Sequence, residues 1–155
     1  MNDTEFLADQ LHRAYAGPAW HGPSLREVLE GVSARTAAAR PVIAAHSIWE
    51  LVMHVGAWTS AVRRRLAGEP VELSPSEDWP AVSGASEAAW RQTLDALERE
   101  QNQLREAIRA LPETALKSGV PGCNYSVRFM LEGAVQHNLY HAGQIALLKK
   151  MVQRV

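Results

Sequence analysis

Residues 86–111 read SEAAWRQTLDALEREQNQLREAIRAL, and one heptad pattern runs through the whole segment. Steps of four and three residues alternate between its members, which are Trp90, Leu94, Leu97, Gln101, Leu104, Ile108 and Leu111. Because an α-helix turns once every 3.6 residues, these side chains share one face and predict a long packing helix that Pro112 closes. We interpret the polar member, Gln101, as a hydrogen-bonded core amide, with a contact to a central site as the alternative.

Three further segments predict long helices. The first covers about residues 4–15 and stops before Gly17-Pro18. The second covers about residues 47–67, begins with the capping box Ser47-Ile48-Trp49-Glu50 and ends at Gly68. The last covers about residues 125–151. Since no segment alternates as a half-buried strand does, the sequence predicts an all-α fold.

Two connections between these helices are long. The first contains a short helical turn capped by Ser24, with Leu25, Leu29 and Val32 on its apolar side, and a second turn over residues 36–40. The other connection includes residues 69–83, whose prolines and serines indicate a surface segment. Neither connection is a tight turn, so the relative directions of the long helices stay open.

Composition favours one globular domain over residues 1–155, with 46% hydrophobic and 21% charged residues. The formal net charge of −1 argues against a nucleic-acid or membrane-surface partner. The single cysteine, Cys123, excludes an intramolecular disulfide and a cysteine zinc cluster, and we interpret it as an ordinary loop thiol. With no secretory pattern and no run of about 18 apolar residues, we expect a cytoplasmic protein.

Three histidines form the candidate functional centre. His137 and His141 are four residues apart on the last long helix, so they share its inward face. His54 borders the inward face of the helix over residues 47–67. Taken singly, each is as easily explained as a hydrogen-bonded core histidine. Together, three imidazoles on apolar faces would be costly to bury without a common partner, which a metal ion supplies.

Imidazole ligands favour transition metals. Neutral imidazole binds zinc, nickel, iron and copper, and we expect a divalent metal, zinc or nickel first, rather than magnesium or calcium. Three protein ligands leave at least one coordination position for water or substrate. An open position indicates an enzyme with a small-molecule substrate.

Other residues are weaker candidates. His46, eight residues before His54, is the candidate catalytic proton shuttle, with an exposed helix-entry histidine as the alternative; His21 is equally ambiguous. Trp58 is either a pocket wall or core. Gln144 and Asn138 flank the histidine pair and are open candidates for orienting an imidazole, although Asn138 falls off the predicted inward face. Arginines 63–65 are interpreted as cations that oppose the helix dipole.

The segments HSIWELVMHVGAW (residues 46–58) and HNLYHAGQI (residues 137–145), with WHGPSL at residues 20–25, resemble the DinB/YfiT-like family of small metalloenzymes. The resemblance extends over nearly the whole chain. It implies a four-helix bundle, here with extra short helices in the first long connection. It also implies a divalent metal held by three histidines, matched here by His54, His137 and His141.

The activities of the family include bacillithiol S-transferases, mycothiol-dependent isomerases and proteins described as metal-dependent hydrolases. We expect thiol-dependent S-transferase chemistry on a small electrophile, with a low-molecular-weight thiol as cosubstrate. The alternatives are a metal-dependent hydrolase and a non-catalytic metal-binding stress-response bundle. A homodimer through an exposed helix face is also expected, although the sequence does not specify the face.

Overall fold

The computed structural model describes residues 2–153, and within them the chain is helical with no β-strand. In chain order the elements are α1 (Asp3–Ala16), α2 (Leu25–Leu29), α3 (Ala34–Ala38), α4 (Ile48–Leu66), α5 (Pro75–Asp78), α6 (Glu87–Arg109), a 3-10 helix (Glu113–Lys117) and α7 (Val127–Val152). The predicted all-α class is confirmed. Over the same residues, no helix combines the length and the apolar character that crossing a membrane requires.

Local capping explains where the long helices begin. At the start of α4, the Ser47 hydroxyl accepts a hydrogen bond from the Glu50 N–H, and the Glu50 carboxylate accepts one from the Ser47 N–H. The Ser126 hydroxyl accepts from the Phe129 N–H at the start of α7. Gly68 follows α4 with a φ of 93°, a left-handed conformation that favours glycine. The four predicted long helices are confirmed within two residues at each end.

The second short helix differs from the prediction. It covers Ala34–Ala38 rather than residues 36–40, because the Ser33 hydroxyl accepts from the Thr36 N–H and starts the helix earlier. Val32 lies outside α2 but is buried, and its carbonyl accepts the Trp90 indole N–H at 2.7 Å. The first connection therefore contains two short helices, as predicted.

The four long helices form a bundle. α1 packs against α6 and α7, and α4 packs against the same two helices. Two apolar clusters fill the interior: the Trp49 cluster, which includes Trp90 and Ile145, and the Leu104 cluster, which includes Leu7. Along α4 and α6 the chain passes from the Trp49 cluster to the Leu104 cluster, and along α1 and α7 it passes the other way. Thus α4 and α6 run in one direction and α1 and α7 in the opposite one.

A polar layer separates the two clusters. The Gln101 and Asn138 amides exchange two hydrogen bonds of 3.1 Å, and the Gln101 amide also donates to the Thr59 hydroxyl at 3.0 Å. Gln101 is therefore the satisfied core amide that was predicted. The placement of Asn138 off the inward face was wrong, because α7 packs against α1, α2 and α4 and buries more than one stripe.

The direction of α4 and α6 sets the path of the second connection. Because these two helices are parallel, residues 67–86 must return along the bundle, and α5 packs against α4 on the way. The return brings Asp78 and Trp79 to the side of His54. The prediction of a plain surface segment missed this contact, since both side chains are only half-exposed.

Candidate metal centre

The structure brings the three predicted histidines together. The Nε2 atom of His137 lies 3.1 Å from that of His54 and 3.0 Å from that of His141. The candidate ligand atoms of all three lie within 4.8 Å of one another. His54 and His141 are buried, and His137 is half-buried. This tri-histidine cluster joins α4 to α7.

The spacing of the nitrogens matches ligands of one ion. Two imidazole nitrogens bound to a metal at about 2.1 Å lie about 3.0 Å apart at a right angle and about 3.4 Å apart at a tetrahedral angle. The two separations that involve His137, 3.0 and 3.1 Å, fall in that range, and the candidate ligand atoms of all three histidines lie within 4.8 Å of one another. The cluster could therefore hold a metal ion.

The outer ring nitrogens fix the tautomers of two histidines. The Nδ1 atom of His54 lies 2.8 Å from the Asp78 carbonyl oxygen and 3.0 Å from its Oδ1. The Nδ1 atom of His141 lies 2.6 Å from the Gln144 amide oxygen. Since these oxygens only accept, both Nδ1 atoms carry the proton and donate it. The Nε2 lone pairs of neutral His54 and His141 consequently face into the cluster.

These tautomers favour a cation at the centre. The Nε2 atom of neutral His137 carries at most one proton, so it can donate to only one of its two close nitrogen neighbours. The other contact would then place the lone pair of a neighbouring Nε2 against a nitrogen that donates no proton to it. A cation shared by the three nitrogens removes this conflict, and the donor set is one that transition metals prefer.

The cluster also disfavours proton binding. Burial, with His141 and His54 nearby, lowers the pKa of His137 to about 3. Burial likewise lowers the pKa of His141, and the Gln144 hydrogen bond opposes part of that effect. Both imidazoles are thus neutral at neutral pH, the form that binds a metal.

Trp79 is sandwiched between two histidines. Its ring stacks on His54 with centroids 3.9 Å apart and on His46 with centroids 3.5 Å apart. His46 therefore lies on the opposite face of Trp79 from the cluster, and its Nδ1 is 3.8 Å from a Glu50 carboxylate oxygen. The catalytic role of His46 stays a prediction.

Two cavities reach the cluster from different sides. The first has a volume of about 440 Å³ and touches His54 and His137. Trp58 lines it, which answers whether that residue is core or pocket wall, and its indole donates to Asp78 Oδ1 at 2.6 Å. The second, of about 360 Å³, touches His141 and contains His46. The cluster is consequently accessible to small molecules from two directions.

Sequence reasoning missed Asp78 and Trp79. Nothing in the spacing of residues 69–83 indicates that they contact His54, because the contact depends on the parallel course of α4 and α6. Gln144, by contrast, was an open candidate and does contact a cluster histidine. Cys123 is a half-buried free thiol in the segment before α7 and is not among the residues that line the 440 Å³ cavity.

Comparisons with known proteins identify the family. A search of curated proteins and a search of solved structures each find no match to the chain. The DinB superfamily matches residues 19–145, which is most of the chain and includes all three cluster histidines. The family inferred from the sequence motifs is therefore confirmed, and the chain belongs to the DinB superfamily.

Proposed function

We propose that the protein is a divalent-metal-dependent enzyme that transfers a small electrophile to a low-molecular-weight thiol. The observation that carries the proposal is the convergence of three histidines, in which His137 Nε2 lies 3.1 Å from His54 Nε2 and 3.0 Å from His141 Nε2, beside a cavity of about 440 Å³ that is called the substrate cavity below. The cavity has the size of a small-molecule site. Zinc and nickel are the metals that this donor set favours.

The proposed reaction is a displacement at carbon. The thiol loses its proton to solvent, and its sulfur attacks the electrophilic carbon to form a C–S bond. The bond from that carbon to the leaving group breaks, and the leaving group departs with the electron pair. A divalent metal supplies Lewis acidity that favours the thiolate form of the thiol at neutral pH.

The residues of this chain hold and orient the centre. His54, His137 and His141 are neutral ligands and leave the charge of a divalent ion uncompensated, which favours an anionic sulfur there. Asp78 and Gln144 accept the outer ring protons and so keep two Nε2 lone pairs directed inward.

Thiol transfer is favoured over hydrolysis by the side chains around the substrate cavity. Hydrolysis of a poor leaving group needs an acid that delivers a proton to it. The only carboxylate that lines this cavity, among residues 2–153, belongs to Asp78, which already accepts hydrogen bonds from Trp58 and His54. His46 lines the other cavity. The same donor set is suitable for activating water, so a hydrolase is the second candidate.

The test is turnover with defined metal content. Metal-free protein and protein loaded with zinc or nickel are assayed for conjugation of 1-chloro-2,4-dinitrobenzene with 2-mercaptoethanol and cysteine, and for hydrolysis of 4-nitrophenyl acetate. We expect metal-dependent conjugation that His54→Ala and His137→Ala abolish. His12→Ala, which removes an imidazole from α1, is the matched control and should retain it.

The other outcomes distinguish the alternatives. Metal-dependent ester hydrolysis without conjugation would replace the transferase with a hydrolase. Metal binding without either reaction, across several thiols and electrophiles, would favour the non-catalytic bundle.

A further inference from the structure

The three consecutive arginines at the end of α4 have different partners. Arg63 pairs with Glu100 at 3.1 Å, and Arg64 pairs with Glu69 at 2.8 Å. Arg65 has no carboxylate within 4.0 Å among residues 2–153. It is nevertheless half-buried, so it retains an uncompensated positive charge in a partly desolvated position. The dipole interpretation of residues 63–65 does not explain this difference.

Arg65 retains donors that its contacts do not use. Its Nε and Nη2 donate to the Val71 carbonyl at 3.1 and 2.7 Å, and its Nη1 donates to the Tyr125 hydroxyl at 3.0 Å. A guanidinium has five N–H groups, so one remains on each terminal nitrogen. Guanidinium donors of this kind form charge-assisted hydrogen bonds with carboxylates.

Arg65 faces the substrate cavity. Arg65 and Tyr125 line the same cavity as His54 and His137. Arg65 is eleven residues beyond His54 along α4, so the two backbones are about 16 Å apart along the helix axis. Its Cζ lies 5.6 Å from the Trp58 ring centroid, which lies 6.3 Å from the His137 ring centroid. These two distances limit the separation between the guanidinium and the His137 ring to about 12 Å.

The cavity wall between Arg65 and the histidine cluster is mainly apolar. Val62 and Met130 line it, and Phe129, which is 65% exposed, lies on the same cavity. The acidic side chain on the wall, Asp78, accepts hydrogen bonds from Trp58 and His54. A ligand in this cavity therefore meets a mainly apolar wall and, at Arg65, a cation that pairs with no carboxylate of residues 2–153.

We infer that the substrate cavity binds a small molecule with an apolar body and a carboxylate, and that Arg65, supported by Tyr125, holds the carboxylate. That this molecule is a reactant rests on the proposed function, whereas its binding does not require a metal. The carboxylate belongs either to the electrophile or to the thiol.

Binding of a matched acid and amide tests the inference without turnover. Calorimetry compares 4-phenylbutanoate with 4-phenylbutanamide on metal-free and metal-loaded protein. We expect the acid to bind about tenfold or more tightly than the amide in both forms, as a charge-assisted hydrogen bond provides. Arg65→Gln should remove this preference, and the matched control Arg64→Gln should keep it.

Several results would overturn the inference. Equal binding of acid and amide to the wild type would do so even if Arg65→Gln failed to fold. A preference present only in metal-loaded protein would mean that the carboxylate binds the metal instead. Tyr125→Phe, which keeps the aromatic ring, provides a second variant and should weaken the acid preference severalfold. An acid preference in metal-free protein without any turnover would contradict the proposed function alone.

Two kinetic comparisons identify the reactant that carries the carboxylate. The first compares 3-mercaptopropanoate with 3-mercaptopropanamide as the thiol. The second compares 4-(bromomethyl)benzoate with 4-(bromomethyl)benzamide as the electrophile. A preference in kcat/KM of about tenfold for the acid, lost in Arg65→Gln, supports the inference and assigns the source. If metal-dependent turnover occurs without such a preference with either pair, the carboxylate does not belong to a reactant, and the assignment of the bound molecule as a reactant is overturned.

Discussion

Gln144 holds His141 through one hydrogen bond, so replacing it with alanine measures what orientation contributes to metal binding. Its amide oxygen lies 2.6 Å from His141 Nδ1 and is the partner that the structure gives to that nitrogen. Without this bond, either ring nitrogen of His141 can carry the proton. The Nε2 lone pair of His141 is then no longer held toward the cluster, and only that of His54 stays fixed. Gln144 is half-exposed, so we expect the fold to survive the substitution.

The expected loss of metal affinity depends on which acceptor remains for each histidine Nδ1 after the substitution. Loss of such a supporting hydrogen bond lowers metal affinity by about 10–100-fold, or roughly 1.4–2.7 kcal/mol. Asp78→Asn should lower metal affinity by less, at most about tenfold, because the backbone carbonyl of residue 78 still accepts a hydrogen bond from His54 Nδ1 at 2.8 Å. Gln144→Glu should bind metal at least as tightly as the wild type, because a carboxylate makes the imidazole more basic.

The assay is competition for zinc against a chromophoric chelator at pH 7. Gln136→Ala, which truncates an exposed glutamine on the same helix, is the matched control and should behave as the wild type. An affinity of Gln144→Ala within twofold of the wild type would refute the orienting role. If Asp78→Asn lowers zinc affinity more than Gln144→Ala does, the backbone carbonyl of residue 78 is not sufficient to orient His54.

The other predictions concern stability. Gln101→Ala leaves the buried Asn138 amide without its partner and removes the bond that the Thr59 hydroxyl accepts, although that hydroxyl still donates to the Val55 carbonyl. It should lower the free energy of unfolding by about 2–3 kcal/mol. Urea denaturation at pH 7 measures this loss, and a loss under about 0.5 kcal/mol would contradict the role of the polar layer. The pKa of His137 is lowered from its ordinary value of 6.5 to about 3, so below pH 6.5 the unfolded chain binds the proton first. The melting temperature of metal-free wild type should therefore fall further between pH 6.5 and 4 than that of His137→Gln, and parallel curves would exclude this contribution. Ser47→Ala removes the side-chain cap of α4 and should lower the free energy of unfolding by about 1 kcal/mol. An unchanged urea midpoint would show that the cap is dispensable.

The long helices and the pair His137 and His141 were accessible from the sequence because both depend on short-range spacing. The heptad from Trp90 to Leu111 and the Ser47 capping box are local patterns that the helices retain. His137 and His141 share a face wherever their helix lies. The approach of His54 to this pair, by contrast, depends on how the helices pack in the bundle.

The contacts made by the second connection were not accessible. Asp78 and Trp79 reach His54 because α4 and α6 are parallel and the chain must return along the bundle between them. Short-range periodicity contains no information on helix direction. Asn138 was misplaced for a related reason, since the width of the buried surface of α7 depends on how many elements pack against it.

The account depends most directly on whether the tri-histidine cluster binds a metal. Elemental mass spectrometry of the purified protein, after reconstitution with zinc and with nickel, compares the wild type with His54→Ala, His137→Ala and the control His12→Ala. We predict close to one metal per chain in the wild type and the control, and none in the two cluster variants. A wild type that stays empty, or cluster variants that keep their metal, would contradict the account.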